Sequence, residues 1–327
     1  MTEPRNLLTD IAGISVGHAT DFLLASGVTA VLFDTPAVAS VAVHGGAPGG
    51  RDTQMLEPEM TIDAIDAIVL SGGSAFGLDA AGGVQAWLRE QGRGFAVRGM
   101  RVPLVSQAII FDLANGGDKN WGRYSPYQQL GYAAAVAATH ENFALGSVGA
   151  GTGATTATVK GGLGSASART STGHMVAALA VVNAIGSPLI GDGPWFWAAP
   201  FEVQGEFGGR GWPSPMPDSV ATPRFKGGPA TTIGLIVTDA ALTKAQAKRL
   251  AIMAHDGLAR AILPAHAPMD GDTIFAAATG ARAVADMAGL TELGHAATIT
   301  VARAIARGVY EAESRAGAQP SWRQRFG

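Results

Sequence analysis

Pro229-Ala230-Thr231-Thr232-Ile233-Gly234-Leu235-Ile236-Val237-Thr238 breaks from an irregular, glycine-rich segment straight into β-branched sequence. From Thr231 onward six of eight residues are Thr, Ile or Val, a density that predicts a buried strand beginning at that residue. A threonine hydroxyl is a weak nucleophile unless a base stands beside it. One available base is the residue's own α-amine, released when the preceding peptide bond is cut. That amine titrates near roughly 7.7–8.0, close to working pH. On spacing alone, a plain β-branched strand start is the favoured reading.

On the upstream side, residues 191–229 are dense in Pro, Gly and Trp, from Gly191-Asp192-Gly193-Pro194 to Lys226-Gly227-Gly228-Pro229. The composition predicts a long surface excursion with little regular structure, a kind of segment that is usually functional or mobile. Downstream, Thr243 with Gln246 three residues on forms a capping box for a helix reaching Ile262. Met269-Asp270-Gly271-Asp272-Thr273 then sets two carboxylates around a glycine just before another strand. Such a pair can orient a hydroxyl and hold an ammonium, and it also fits a simple Asp/Gly turn. A last long helix is expected from Thr291 to Arg315.

The first third alternates short strands with glycine turns. Gly27 to Phe33 and Ala37 to Val43 read as two strands, the second ended by His44-Gly45-Gly46-Ala47-Pro48-Gly49-Gly50. Ala67-Ile68-Val69-Leu70 is a short buried strand running into Ser71-Gly72-Gly73-Ser74. A helix from Ala75 to Glu90 follows, with Phe76, Ala80, Val84, Trp87 and Leu88 on one face. A second helix is expected from Gln129 to His140, and β-type sequence from Thr155 to Val159 and on to Ile185. Strands and helices are mixed throughout, without a fixed-period repeat or a composition break that would divide the chain.

Composition narrows the function classes. The 327 residues are 47% hydrophobic and only 15% charged, enough to build a sizeable core and incompatible with a disordered chain. Glycine, at 45 residues, is about twice its usual share of roughly 7%, without a collagen period. A net charge of −3 and a pI near 6.2 give no polycation for nucleic acid. With no cysteine, disulfides, thiolate nucleophiles and zinc ribbons are excluded. The polar opening Met1-Thr2-Glu3-Pro4-Arg5-Asn6 does not resemble a signal peptide. The mean hydropathy of +0.20 comes with no membrane-length apolar run, because Asn183, Gly186, Ser187 and Pro188 cut the stretch from Met175 to Ile190. The expectation is a soluble, cytoplasmic protein with no membrane partner.

Several apparent motifs carry little. Gly149-x-Gly151-x-x-Ala154 matches a loose dinucleotide fingerprint, but threonine-rich strand sequence follows it where a helix is required. Gly72-x-Ser74 lacks the second glycine of a nucleophile elbow, since Phe76 stands at that position. Ser71 to Ser74 fits better as backbone amides facing an anion, or as a packed turn. The seven histidines (His18, His44, His140, His174, His255, His266, His295) show no metal-ligand spacing and read as structural or exposed. Lys160 is a lone cation in a Thr/Gly/Ala stretch, either desolvated into an acid or oxyanion partner, or a strand-end lysine in water.

In sequence order, six blocks together resemble one family. They are Ile11-Ala12-Gly13-Ile14-Ser15-Val16-Gly17-His18-Ala19-Thr20-Asp21, Gly45-Gly46-Ala47-Pro48-Gly49-Gly50-Arg51-Asp52-Thr53, Leu70-Ser71-Gly72-Gly73-Ser74-Ala75-Phe76-Gly77-Leu78-Asp79-Ala80-Ala81, Val159-Lys160-Gly161-Gly162-Leu163-Gly164, Thr231-Thr232-Ile233-Gly234 and Asp270-Gly271-Asp272-Thr273-Ile274-Phe275. The chain is similar over nearly its whole length to the self-processing N-terminal-nucleophile hydrolases of the DmpA aminopeptidase type. That group includes β-peptidyl aminopeptidases and nylon-oligomer (6-aminohexanoate oligomer) endo-hydrolases. The threonine, in place of the serine of the aminopeptidases, makes it look closest to the nylon-oligomer enzymes.

The resemblance implies a four-layer αββα sandwich in a single domain spanning residues 1–327. It implies autocleavage between Ala230 and Thr231 into chains 1–230 and 231–327, and amide hydrolysis through an acyl-enzyme. Thr231 matches the nucleophile, Asp270 and Asp272 the paired carboxylates, and Lys160 and Asn183 the lysine and asparagine of the site. Asn183 otherwise reads only as a polar break in an apolar strand. Tyr124 is the candidate substrate-side tyrosine. No metal or cofactor is implied; the expected partners are a small linear amide or peptide substrate and further copies of the chain, as a homotetramer of processed protomers. Ala230 departs from the asparagine that precedes the nucleophile in the nylon-oligomer enzymes. Two other readings remain at this stage: acyl transfer of the ornithine acetyltransferase kind, and an unprocessed, non-catalytic homologue.

Overall fold

The computed structural model describes residues 4–222, 224–315 and 317–327. In chain order its strands and helices are β1 (Ile14–Asp21), β2 (Ser26–Val43), β3 (Gly50–Arg51), β4 (Ala64–Ser71), α1 (Ala80–Glu90), β5 (Phe95–Val97), β6 (Met100–Val102), β7 (Val105–Ile109), α2 (Tyr127–Val136), β8 (Leu163–Arg169), β9 (Met175–Asn183), β10 (Thr231–Ala241), α3 (Lys244–Ala261), β11 (Thr273–Ala283), α4 (Met287–Tyr310) and α5 (Trp322–Phe326). The hydrogen-bonded order is β3-β7-β4-β2-β11-β10-β9-β8, with β1 also on β2 and β5-β6 as a separate ribbon.

The layers follow from strand alternation. Val28, Ala30 and Leu32 of β2 and Ala67 and Val69 of β4 face a core shared with α1 and α2. Their neighbours Val31, Phe33, Ile68 and Leu70 face the other way, onto Leu179, Val181, Ile233, Leu235, Val237 and Phe275. Ile236, Ala178, Val182 and Ile274, on the far side of that second layer, pack beneath Leu250, Ala254 and Leu258 of α3 and Leu293, Val301 and Ile305 of α4. Helices, sheet, sheet and helices therefore stack as αββα, with β4, β9 and most of β2 and β10 buried on both faces. The close approach of α4 to β8 needs glycine: a Cβ on Gly164 would stand 1.9 Å from the Ala304 carbonyl oxygen.

Instead of two separate sheets, the two β layers are one hydrogen-bonded path. The two strands expected at Gly27–Phe33 and Ala37–Val43 are a single β2, whose first half pairs with β1 and β4 and whose second half pairs with β11. Its register slips between Leu32 and Ala37, where Asp34, Thr35 and Pro36 are exposed. Pro36 has no N–H for the ladder, so the strand bends there from one layer into the other.

Other expectations are corrected at their edges. The helix expected from Ala75 opens as a 3-10 turn, Ser74–Asp79, and Phe76 is exposed against Trp121 rather than buried. The second helix runs Tyr127–Val136, ending short of His140. Residues 155–159 form no strand, only a tight turn bridged between Thr155 and Lys160. The last long helix begins earlier than Thr291, because the Asp286 side chain caps it by accepting from Gly289 N at 2.9 Å. The Thr243–Gln246 capping box is present as read. The described residues of 191–229 are irregular apart from 3-10 turns at Ala199–Phe201 and Asp218–Ala221 and an isolated bridge from Phe196 to Leu189. Among the described residues no helix is long and apolar enough to cross a membrane.

Candidate active site

Parallel pairing of β10 with β11 aligns Ile233 with Thr273, so the segments preceding the two strands run side by side. That register carries Ala230 against Asp270, where a further parallel bridge forms. On the other edge, antiparallel pairing sets Thr231 opposite Asn183 of β9. Two long-range pairings thus gather Thr231, Asn183, Asp270 and Asp272, all of them buried.

The Thr231 hydroxyl donates to the carbonyl oxygen of Ala230, and the Gly271 backbone N–H donates to the same oxygen at 3.0 Å. Gly271 has no room for a side chain: a Cβ there would lie 2.8 Å from Thr231 Oγ1 and 2.8 Å from the Ala47 carbonyl oxygen. Asp272 is fully committed. Its Oδ1 accepts from Thr232 N at 2.8 Å, and its Oδ2 accepts from His266 N at 2.9 Å and His266 Nδ1 at 2.8 Å. Asp270 is the opposite case, with a buried Oδ1 that has no partner among the described residues. Burial, and then the charge of Asp272 beside it, push the Asp270 carboxyl well above the usual range.

Asn183 does not face the Ala230 carbonyl. Its Nδ2 donates to the Phe111 carbonyl at 3.0 Å, while its Oδ1 accepts from Thr155 N at 3.0 Å and Lys226 Nζ at 2.8 Å. Lys226 was not singled out by sequence. Its ammonium also reaches the Thr155 carbonyl and hydroxyl and the Asn183 carbonyl at 3.1–3.2 Å. Burial lowers its pKa to about 8, opposed by Asp270 and Asp112. Lys160 is buried, not in water, and Nζ donates to the carbonyls of Ala154 (2.6 Å), Gly161 (3.0 Å) and Gly151 (3.3 Å). Burial brings it down to about 7, opposed by Asp112.

Both lysines line a cleft of about 1030 Å³ whose walls also include Phe22, Phe111, Asp112 and Phe225. Lys226, Gly227, Gly228 and Pro229 line it as well, whereas Thr231 does not. Asp112 was also missed by sequence. Its Oδ1 accepts from Gly73 N at 2.7 Å and its Oδ2 from Ser26 Oγ at 2.6 Å, and Tyr127 OH donates to that serine at 2.9 Å. Of the Ser71–Ser74 amides, only that of Gly73 meets this carboxyl; Gly72 N and Ser74 N donate to the Gly27 and Ile110 carbonyls, so the segment is mainly a packed turn. Tyr124 is 81% exposed and outside the cleft lining; Tyr127, three residues on, is the buried tyrosine.

The model of peptidase family S58 matches residues 6–322. This chain belongs to peptidase family S58. As an S58 peptidase it is an amide-bond hydrolase. A protein of Mycobacterium tuberculosis named as an uncharacterized aminopeptidase is 44% identical, over 98% of both chains. A 6-aminohexanoate-oligomer endohydrolase of Kocuria is 30% identical over 85% of this chain and 76% of its own, so the mycobacterial protein shares more residues with this one. The solved L-aminopeptidase D-Ala-esterase/amidase of Ochrobactrum anthropi, described as a variant of the Ntn hydrolase fold, superposes with a TM-score of 0.72 at 21% identity, covering 97% of this chain and 89% of that one.

Proposed function

We propose that this S58 peptidase cuts itself between Ala230 and Thr231 and then hydrolyses short linear amides with Thr231 as its N-terminal nucleophile. One observation carries the reading: the Thr231 hydroxyl and the Gly271 N–H converge on the Ala230 carbonyl oxygen, inside a glycine-rich bend that lines the cleft. Attack of Oγ1 on the Ala230 carbonyl carbon forms an ester as the C–N bond to Thr231 breaks, and the nitrogen leaves as a free amine. Gly271 N–H stabilises the charge developing on the oxygen. Asp270, with its unpartnered Oδ1, is the group that takes the hydroxyl proton and returns it to the leaving nitrogen, which departs as the neutral amine. Water then hydrolyses the ester, leaving an Ala230 carboxylate and a free Thr231 hydroxyl.

In turnover the new α-amine takes the Thr231 proton, the hydroxyl attacks the substrate amide, and an acyl-enzyme forms and is hydrolysed. Lys160 and Asn183 act at the substrate oxyanion once withdrawal of Lys226 releases the Asn183 Oδ1 and the amide turns its Nδ2 away from the Phe111 carbonyl. The aromatic walls suit an extended, largely apolar chain. The high identity to a protein named as an aminopeptidase favours short peptides as the first substrates to assay, ahead of 6-aminohexanoate oligomers.

The test is a denaturing gel of purified protein with N-terminal sequencing. The expected result is two fragments, the smaller of 97 residues and beginning Thr-Thr-Ile-Gly, in native association; Thr231→Ala gives one band and no amidase activity. Full activity in an uncut chain would overturn the proposal. An acetyl-transfer assay with glutamate as acceptor separates this reading from an acyltransferase.

A further inference from the structure

The fold brings together three histidines whose sequence spacing gave no sign of a shared site. His44 directly follows β2, His255 lies within α3, and His266 sits in the loop before β11. One ligand nitrogen from each lies within 4.8 Å of the other two. The His44 ring stacks on His255 with centroids 3.9 Å apart, and His266 stands edge-on to both, at 5.3 Å and 5.0 Å.

The hydrogen bonds fix which nitrogen the buried His255 ring and the half-buried His266 ring present. His255 Nε2 lies 2.9 Å from the Ala42 carbonyl oxygen, which only accepts, so the proton is on Nε2 and the lone pair on Nδ1. That Nδ1 is buried and has no partner among the described residues, in a side chain that is 1% exposed. A buried acceptor without a donor is costly, and in a native fold it calls for an explanation. His266 Nδ1 lies 2.8 Å from Asp272 Oδ2, so its Nε2 carries the lone pair. Two imidazoles thus donate their second N–H to a backbone carbonyl and to a carboxylate. These are the outer contacts that orient metal-ligating histidines and raise their basicity. Exposed His44 makes no side-chain hydrogen bond among the described residues and is free to turn.

We propose that His44, His255 and His266 form a binding site for a first-row transition-metal dication of the borderline class, represented by Zn²⁺, with Asp272 as its outer carboxylate. Imidazole nitrogens suit Zn²⁺, Ni²⁺ and Co²⁺ and do not suit Mg²⁺ or Ca²⁺, which require oxygen. Tetrahedral Zn–N bonds of about 2.0–2.1 Å place ligand nitrogens roughly 3.4 Å apart, so the three rings have to draw together by about an ångström, a shift open to the exposed His44. Three protein ligands leave a fourth position for water. The metal would buttress the site from behind: His266 holds Asp272, and Asp272 holds the backbone N–H of Thr232, next to the proposed nucleophile. The site does not depend on the Thr231 reading.

The test is calorimetric titration of the full-length protein with Zn²⁺ after treatment with EDTA and dialysis, alongside Mg²⁺. One Zn²⁺ per chain and no Mg²⁺ binding is expected, with the same result in Thr231→Ala. Loss of a direct ligand in His44→Ala should weaken Zn²⁺ binding by more than the about 10–100-fold typical of an outer-shell change. Because His44 is exposed and unbonded, that variant should unfold at the parental temperature in EDTA. His255→Asn, which removes the buried ligand, should lose the site as well, and Zn²⁺ should raise the unfolding temperature of the parent but of neither variant. Absence of saturable Zn²⁺ binding, or parental affinity in His44→Ala, would overturn the assignment.

Discussion

The Gly271 N–H and the Thr231 hydroxyl share one acceptor, the carbonyl oxygen of Ala230, with the amide 3.0 Å away. The proposed nucleophile and an N–H donor therefore meet at the peptide bond that would be cut, supplied by β10 and by the segment before β11 that the parallel register holds beside it. Gly271→Ala forces a methyl to 2.8 Å from the hydroxyl and displaces both groups. Losing one oxyanion donor costs about 10²–10³ in rate, so intact precursor should persist on a time-course gel. Processing at the parental rate would remove Gly271 from the mechanism.

Lys226 anchors the upstream side of the same bend, through its ammonium on Asn183 and Thr155 and its backbone N–H on the Ile185 carbonyl at 2.8 Å. Hydrogen bonds to a charged group are worth about 1.5–3 kcal/mol. Lys226→Met should therefore slow self-cleavage by roughly 10–100-fold if the bend is strained toward attack. The assay is precursor half-life by gel. An unchanged half-life would mean that the anchor plays no part in presenting the bond.

Lys160 gives a pH signature. Its pKa is lowered to about 7 in the fold, against about 10.4 in an unfolded chain. Below pH 7 the cost of burying the ammonium is present in full. Between pH 7 and 10 the unfolded state binds the additional proton, so stability rises with pH. Relative to Lys160→Met, the parent should gain up to about 1.4 kcal/mol per pH unit across that window. Denaturant unfolding at several pH values checks this, and a constant difference would show that Lys160 stays charged throughout.

Asp272 accepts three hydrogen bonds with no exposure to water. Asn in its place has one acceptor oxygen, and its NH₂ must face an N–H of Thr232 or His266. Each donor orphaned in this way costs about 1–3 kcal/mol. Asp272→Asn should lower the unfolding free energy by at least that amount, and parental stability would show that the three contacts are replaceable.

How far the sequence could be read depended on the distance over which each signal acts. The strand from Thr231 and the Thr243–Gln246 cap are local patterns, and both are present. Pro36 reads locally as a strand boundary, and only pairing with β4 and β11 makes one strand of the two halves. Lys226 carries no signature because its partners, Thr155 and Asn183, lie 71 and 43 residues away. The three clustered histidines escaped for the same reason, since spacing along a chain reveals ligands only when they share a turn or a helix. Nothing local marks Tyr127 as the buried tyrosine near the Tyr124 candidate; its hydrogen bond to Ser26, which in turn holds Asp112, belongs to tertiary structure.

The sheet order sets β11 and β10 between β2 and β9. Cleavage at Thr231 would put the two inner strands on one polypeptide and both flanking strands on the other. The shorter piece would then be a wedge driven into the longer one, zipped on each side along a full ladder. Dilution could not separate them, and neither piece would have a finished sheet to fold by itself. The intact chain finds that insertion with its ends tethered, at the entropy of closing a loop; the cut one would have to find it by collision. Maturation would then act as a ratchet, with an enzyme that withstands everyday strain and yet, once melted, does not return.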